Sequence, residues 1–129
     1  MTTRVGRIST SVVTAWLADL ATQAPYLALM TSDPYAAQDP LTTEVVSGTY
    51  ARSNTAWSVT GRLMTATNNL LWNGIPAGTH LFAIAGFSAV TNGVLKFSSP
   101  IPGGLYYAVA GGLSMPSGSF AVGIDTVTG

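Results

Sequence analysis

Tyr26-Leu-Ala-Leu-Met-Thr-Ser-Asp-Pro34, answered downstream by Glu44-Val-Val-Ser-Gly-Thr-Tyr-Ala-Arg52, decides how this chain is read. In an extended chain Tyr26, Ala28 and Met30 share one face and Leu27 and Leu29 the other. Both faces are apolar, which suits a central buried strand over 26–31, or one whose outer face receives a helix. The run stops at Asp33-Pro34, and a second Asp-Pro follows at 39–40. The α region is disfavoured before proline, so 33–43 reads as a long loop between two strands, projected outward. Loops of this length in compact domains usually carry function. Tyr35 at its apex is therefore a candidate partner contact, and Arg52, closing the second run, is another. An internal ion pair of Arg52 with Glu44 or Asp33 is the competing assignment.

Upstream, Met1–Ile8 reads as an arm carrying Arg4 and Arg7, two of the five cations in the protein and both candidate contacts with a neighbour. Ser9-Thr-Ser11 then offers N-cap hydroxyls, and Val13, Trp16, Leu17 and Leu20 recur at helical spacing. The spacing predicts one amphipathic helix over 9–24, ended by Pro25, with Asp19 on its far face. A helix this short must pack on something, either an end or edge of the sheet structure or another subunit.

Downstream, short apolar or β-branched runs alternate with Gly, Asn and Pro. They predict strands near 49–52, 56–60, 63–66, 69–73, 80–86, 94–98, 105–110 and 119–125. Turn signals fall at Gly61-Arg62, 73–78, Thr91-Asn-Gly93, 100–104 and 115–118. Paired glycines in Ala108-Val-Ala-Gly-Gly112 point to a bulge or a close backbone approach. The expected fold is mainly β: a single antiparallel β-sandwich, Ig-like or jelly-roll-like, with one N-terminal amphipathic helix, organised as an arm over 1–8 and one domain over 9–129.

Charged residues make up 8% of the 129 residues, against roughly 25% in ordinary soluble domains, and five basic and five acidic groups cancel. A chain with no net field has no electrostatic basis for attracting nucleic acid or an anionic membrane. Its 17 Thr and 12 Ser must supply neutral polar cover. Such a surface suits a Thr/Ser-rich β protein, a surface largely buried against neighbouring subunits, or both. Cysteine is absent, which removes disulfides and thiolate chemistry. No apolar run reaches the roughly 18 residues of a membrane span, and the N-terminus lacks a signal-peptide pattern, so assembly in a cytoplasm is expected.

Catalytic patterns are sparse. His80 is the one histidine, beginning the run His-Leu-Phe-Ala-Ile. No serine stands in a Gly-x-Ser-x-Gly elbow, and the carboxylates Asp19, Asp33, Asp39, Glu44 and Asp125 are scattered. The glycine pairs match neither phosphate-binding pattern, and the Asp33–Asp39 loop lacks the oxygen ladder of a calcium site. No enzymatic activity, cofactor or metal is expected. Trp57, Trp72, Tyr106 and Tyr107 would form a sugar-stacking platform if exposed, but tryptophans in strand runs usually pack inside, and adjacent Tyr106 and Tyr107 must face opposite ways.

Tyr26–Pro34, Thr43–Arg52 and Asn73-Gly-Ile-Pro-Ala-Gly-Thr-His-Leu-Phe-Ala-Ile84 together resemble a family of short tailed-phage virion proteins. Members are often labelled tail-fibre proteins, and phage β-sandwich proteins of similar size decorate capsids. The resemblance spans about residues 26–125; where the family often has a Gly-Asp turn before its last strand, Met115-Pro-Ser-Gly118 stands here. It implies a non-enzymatic virion structural protein, assembled in the host cytoplasm, forming a homo-oligomer and contacting major capsid or tail proteins. A capsid decoration or minor capsid subunit that stabilises the head lattice is the first expectation; a tail-fibre or receptor-binding component that contacts host surface glycan is the alternative.

Overall fold

The computed structural model describes residues 8–124. Its single α-helix, α1 (Thr10–Gln23), begins where Ser9 accepts a hydrogen bond from Val12 N and ends as Ala24 N donates to Leu20 O. Val13 and Leu17 are fully buried, Leu20 is half-buried, and Asp19 is exposed. Trp16, expected in the buried stripe, is 51% exposed. Residues advance about 100° each around a helix, so Trp16 lies about 60° to the side of Val13, away from the Leu17–Ala24 line that meets the core. The helix packs on β3 (Trp57–Thr60) and β4 (Leu63–Ala66), and the Trp57 indole donates to Ala24 O at 3.0 Å. The helix thus packs on the β3–β4 pair of its own chain and not on the outer face of the first strand.

The remaining described elements are strands and one short 3-10 turn, Pro40–Thr43. β1 (Tyr26–Met30), β2 (Ser53–Asn54), β6 (Thr79–Phe87) and β7 (Leu95–Tyr107) form an antiparallel sheet in the order β2-β1-β6-β7. β3 and β4 pair with β9 (Ala121–Gly123), and β5 (Leu70–Ile75) pairs with β8 (Gly111–Met115), both antiparallel. The main core lies between the four-stranded sheet on one side and the two smaller sheets with α1 on the other, giving a mainly antiparallel β-sandwich with one helix. Leu27, Leu29, Ile84 and Phe97 from one layer meet Val13, Met64, Leu70, Trp72, Ile75 and Phe120 from the other. Each fully buried side chain of this size contributes about 1.5–3 kcal/mol. Trp72 also spans the layers by a hydrogen bond from its indole to Leu27 O at 2.9 Å.

The two-faced pattern of 26–30 has its counterpart in two clusters. Leu27 and Leu29 enter the main core, while Ala28 and Met30 join Ala83, Ala85 and Phe87 on the outer face of the sheet. That second face cannot stay open to water, and the 33–43 segment covers it. Leu41 packs on the cluster, Pro34 is fully buried, and Thr43 and Val45 pair back to Thr31 and Leu29 through N–H···O bonds of 2.7 and 3.0 Å. The loop expected to project outward is therefore folded down as a cover, because five apolar side chains beneath it need burial.

Other boundaries shift for identifiable reasons. Residues 49–52, expected as a strand, are irregular, since Tyr50 and Arg52 turn inward to partners distant in sequence; regular pairing starts at Ser53. The strands expected at 94–98 and 105–110 are one strand, β7. Leu81 pairs with Leu105 and Ala83 with Pro100, so Ile101–Gly104 stand opposite Phe82 alone. Pro100–Gly104 has turn chemistry, with Gly103 and Gly104 at φ 75° and 68°, yet forms a wide bulge. Gly111 and Gly112 lie in β8, an element absent from the expected strands. A Cβ at Gly112 would lie 2.8 Å from Trp72 O, the close approach that the paired glycines signalled. Met115-Pro-Ser-Gly118 is a turn, with Gly118 at φ 83°.

Candidate assembly surface

At one end of the four-stranded sheet the chain after β1 meets the turn joining β6 to β7. Ser88 closes that turn, donating from its N to Val94 O at 3.1 Å and accepting at its Oγ from Val94 N at 2.8 Å. Asn92 and Gly93 adopt φ 54° and 73°, the left-handed pair that Asn-Gly supplies at low cost. Beneath the turn lies Arg52, 8% exposed and therefore not available as the partner contact expected from its position. Its Nε and Nη2 donate to the two Glu44 carboxylate oxygens at 3.0 and 2.8 Å. Its Nη1 donates to Ala89 O at 2.8 Å and Asn92 O at 2.7 Å, and the guanidinium lies 4.0 Å over the Phe87 ring.

Tyr50 completes the cluster, donating its hydroxyl to Glu44 Oε2 at 2.7 Å and accepting from Leu29 N at 2.9 Å. Burial, and next the adjacent Glu44 charge, push the phenol well above its ordinary range. Ionising Tyr50 would place a second negative charge in a desolvated site beside the first. Both Glu44 oxygens are engaged, so the group works as a clamp: one carboxylate holds Arg52 and Tyr50, and Arg52 holds the turn. The two sequence runs that frame the chain meet here, through the Met30–Glu44 bridge and the Val45–Leu29 bond.

Above this clamp the surface is apolar. Val46 is 84% exposed, and Val90 and Val94 flank the turn tip, both exposed. Val46 and Val90 line an open cleft of about 480 Å³ with Arg52 and Glu44 at its floor. On the other side of the turn, Val94 lines a cleft of about 420 Å³ with Pro34, Tyr35 and Leu41. Tyr35, expected as a contact from its loop position, is 61% exposed and belongs to this surface. Neighbouring Asp33 and Asp39 are used locally: their Oδ1 atoms accept from Tyr35 N and Leu41 N, each at 3.0 Å.

The other expected contacts, Arg4 and Arg7, lie outside the described residues, as does Asp125. Among the described residues no three His, Cys, Asp or Glu side chains converge as a metal site, and no helix is long and apolar enough to cross a membrane. Trp72 is buried and Trp57 packs edge-on to Phe97, so neither offers a stacking face to solvent; Tyr106 is outside, as one of the adjacent tyrosines must be. Sequence reading missed Val46, Val90 and Val94. Val90 and Val94 had one signal, a valine on each side of an Asn-Gly turn, an unusual place for exposed branched side chains, and Val46 had none. Comparison with protein-family models, with curated proteins and with solved structures finds no match for this chain.

Proposed function

We propose that the protein is a non-enzymatic structural subunit of a bacteriophage virion, a capsid decoration or minor capsid protein that binds and stabilises the head lattice. The observation that carries this reading is the apolar surface of Tyr35, Val46, Val90 and Val94, with the exposed Asp33 and Asp39 at its margin, held in place from beneath by the Glu44–Arg52 clamp. Apolar residues clustered around a fixed turn favour association by shape and burial, and a rigid patch loses little conformational entropy on docking. The near absence of charge agrees with recognition of a repeated neutral neighbour rather than of a polyanion. In this reading the partners are major capsid proteins and further copies of the chain, met as the virion assembles in the host cytoplasm.

The test is binding to particles that lack the protein. Wild-type protein is expected to bind heads in many copies and raise their heat resistance, while Val46→Asp/Val90→Asp, altering two exposed residues, keeps its melting temperature and loses binding. Equal binding by that variant, or localisation of the protein to the tail by cryo-EM, would overturn the reading. A tail-fibre or receptor-binding role is the second reading, favoured by a separate exposed aromatic face that includes Phe82 and Tyr106. It predicts few copies at the tail and antibodies that block adsorption.

A further inference from the structure

The wide bulge in β7 opens a cleft of about 340 Å³ on the sheet beyond the region covered by residues 33–43. That volume falls at the lower end of the roughly 300–1,000 Å³ typical of small-molecule sites. Thr31, His80, Phe82, Ile101 and the Gly103–Gly104 backbone line it. His80 and Phe82 are two apart on β6 and so share a face, and both are exposed. Tyr106 is the cross-strand partner of His80, its ring 4.8 Å away at 77°, and is 60% exposed. Tyr107, on the opposite face, is committed internally through its hydroxyl bond to Gly112 O at 2.8 Å.

Three properties of this cleft restrict its ligand. Phe82 within the cleft, and Tyr106 just beyond its lining where it packs on His80, present aromatic surface, which asks for an apolar face. The His80 imidazole, the Tyr106 hydroxyl and the side-chain-free Gly103–Gly104 backbone offer donors and acceptors around it, and the Thr31 hydroxyl, which donates to Thr43 O at 2.9 Å, keeps lone pairs that accept. No Asp, Glu, Lys or Arg lines the cleft. A phosphate or carboxylate would find no cation here, which also disfavours a nucleotide. A hydrocarbon ligand would cover the polar groups without pairing them.

From this combination we infer that the outer face of the β6–β7 hairpin binds a neutral saccharide, one pyranose ring laid with its C–H face on Phe82 and Tyr106 and its hydroxyls toward His80, Thr31 and the glycine backbone. The site is separate from the surface around Val90 and holds whether the subunit sits on head or tail. Its test uses the isolated full chain, so that failure leaves the particle-binding reading untouched.

The measurement is a 1H–15N NMR titration with neutral gluco-, galacto-, manno- and N-acetylglucosamine oligosaccharides at millimolar concentration, beside uronic and sialic acid oligomers. At least one neutral oligosaccharide is expected to shift the amides of Thr31, His80, Phe82, Gly103 and Gly104. Phe82→Ala and Tyr106→Ala should each weaken that binding about five- to ten-fold, the effect of one stacking ring, and Val90→Asp should leave it unchanged. The absence of shifts with every neutral sugar, shifts with the acidic sugars alone, or full affinity in both ring variants would overturn the assignment.

Discussion

Replacing Arg52 by Met removes four hydrogen bonds at once, two to Glu44 and one each to Ala89 O and Asn92 O. Methionine keeps much of the aliphatic stem over Phe87, so the change isolates the charge. The side chains of Arg52 and Glu44 are 3% and 13% exposed, which places the pair in the buried regime, where loss of one partner strands the other charge. Such truncations cost about 3–5 kcal/mol, a large part of the roughly 5–15 kcal/mol that holds a domain of this kind together. The expected melting temperature falls by about 10 °C or more. Urea unfolding followed by fluorescence of the core tryptophans Trp57 and Trp72 measures the loss, and hydrogen exchange locates it. Protection should fall first at Val94 and Ser88, whose amides close the turn that Arg52 holds. The double variant Arg52→Met/Glu44→Gln removes the stranded carboxylate and should recover about 1–2 kcal/mol relative to Arg52→Met alone. A single-variant cost below about 1 kcal/mol, as for a surface pair, or a double variant less stable than the single one, would refute the clamp.

Two further outcomes follow from the same packing. The Tyr50 phenol is raised in the folded protein, so its contribution is fully present below the ordinary tyrosine pKa of 10.0 and is lost as pH climbs beyond it, where the unfolded chain ionises first. Unfolding free energy should therefore fall above pH 10 by up to about 1.4 kcal/mol per pH unit from this group, and Tyr50→Phe should flatten that decline while costing about 1–3 kcal/mol at neutral pH for the orphaned Leu29 N–H; an unchanged alkaline slope in the variant would rule the assignment out. Gly86→Ala places a methyl against Phe97 Cε1, well inside van der Waals contact with a ring packed in the core, and should cost about 1–3 kcal/mol or more in a denaturation curve, whereas a neutral result would mean that the inner face is looser than described.

Much of the fold was legible because local and long-range demands agree. Apolar residues on both faces of 26–30 required a strand covered on each side, the Thr91-Asn-Gly93 tip formed a turn, and Ser9 capped the helix. The reading failed where a distant partner decides. Pro100–Gly104 has every local mark of a turn, yet its register with Leu81 and Ala83 keeps the chain in one strand. Gly111-Gly112 signalled a close backbone approach, which Gly112 makes to Trp72 O, but not the strand β8 in which the pair lies. The candidate surface was half legible: Tyr35 followed from loop length, whereas Val46, Val90 and Val94 become neighbours only once the sheet forms. For Arg52 the competing assignment, an internal pair with Glu44, is the one that formed, while its carbonyl partners, 37 and 40 residues away, had no local signal.

The bulged strand β7 also bears on how copies can crowd together. It forms one border of the four-stranded sheet, and the other border, β2, pairs over just two residues. Pro100 and Pro102 cannot donate backbone hydrogen bonds, the Gly103–Gly104 excursion bends the strand, and Lys96 sets a charge near its start. An incoming strand meets an interrupted row of donors on one side and a stub on the other. Copies crowded together at high concentration are thus kept from extending this sheet from one molecule to the next, and contacts across its borders are left to side-chain surfaces, which can close into finite symmetric sets instead of running on as fibres.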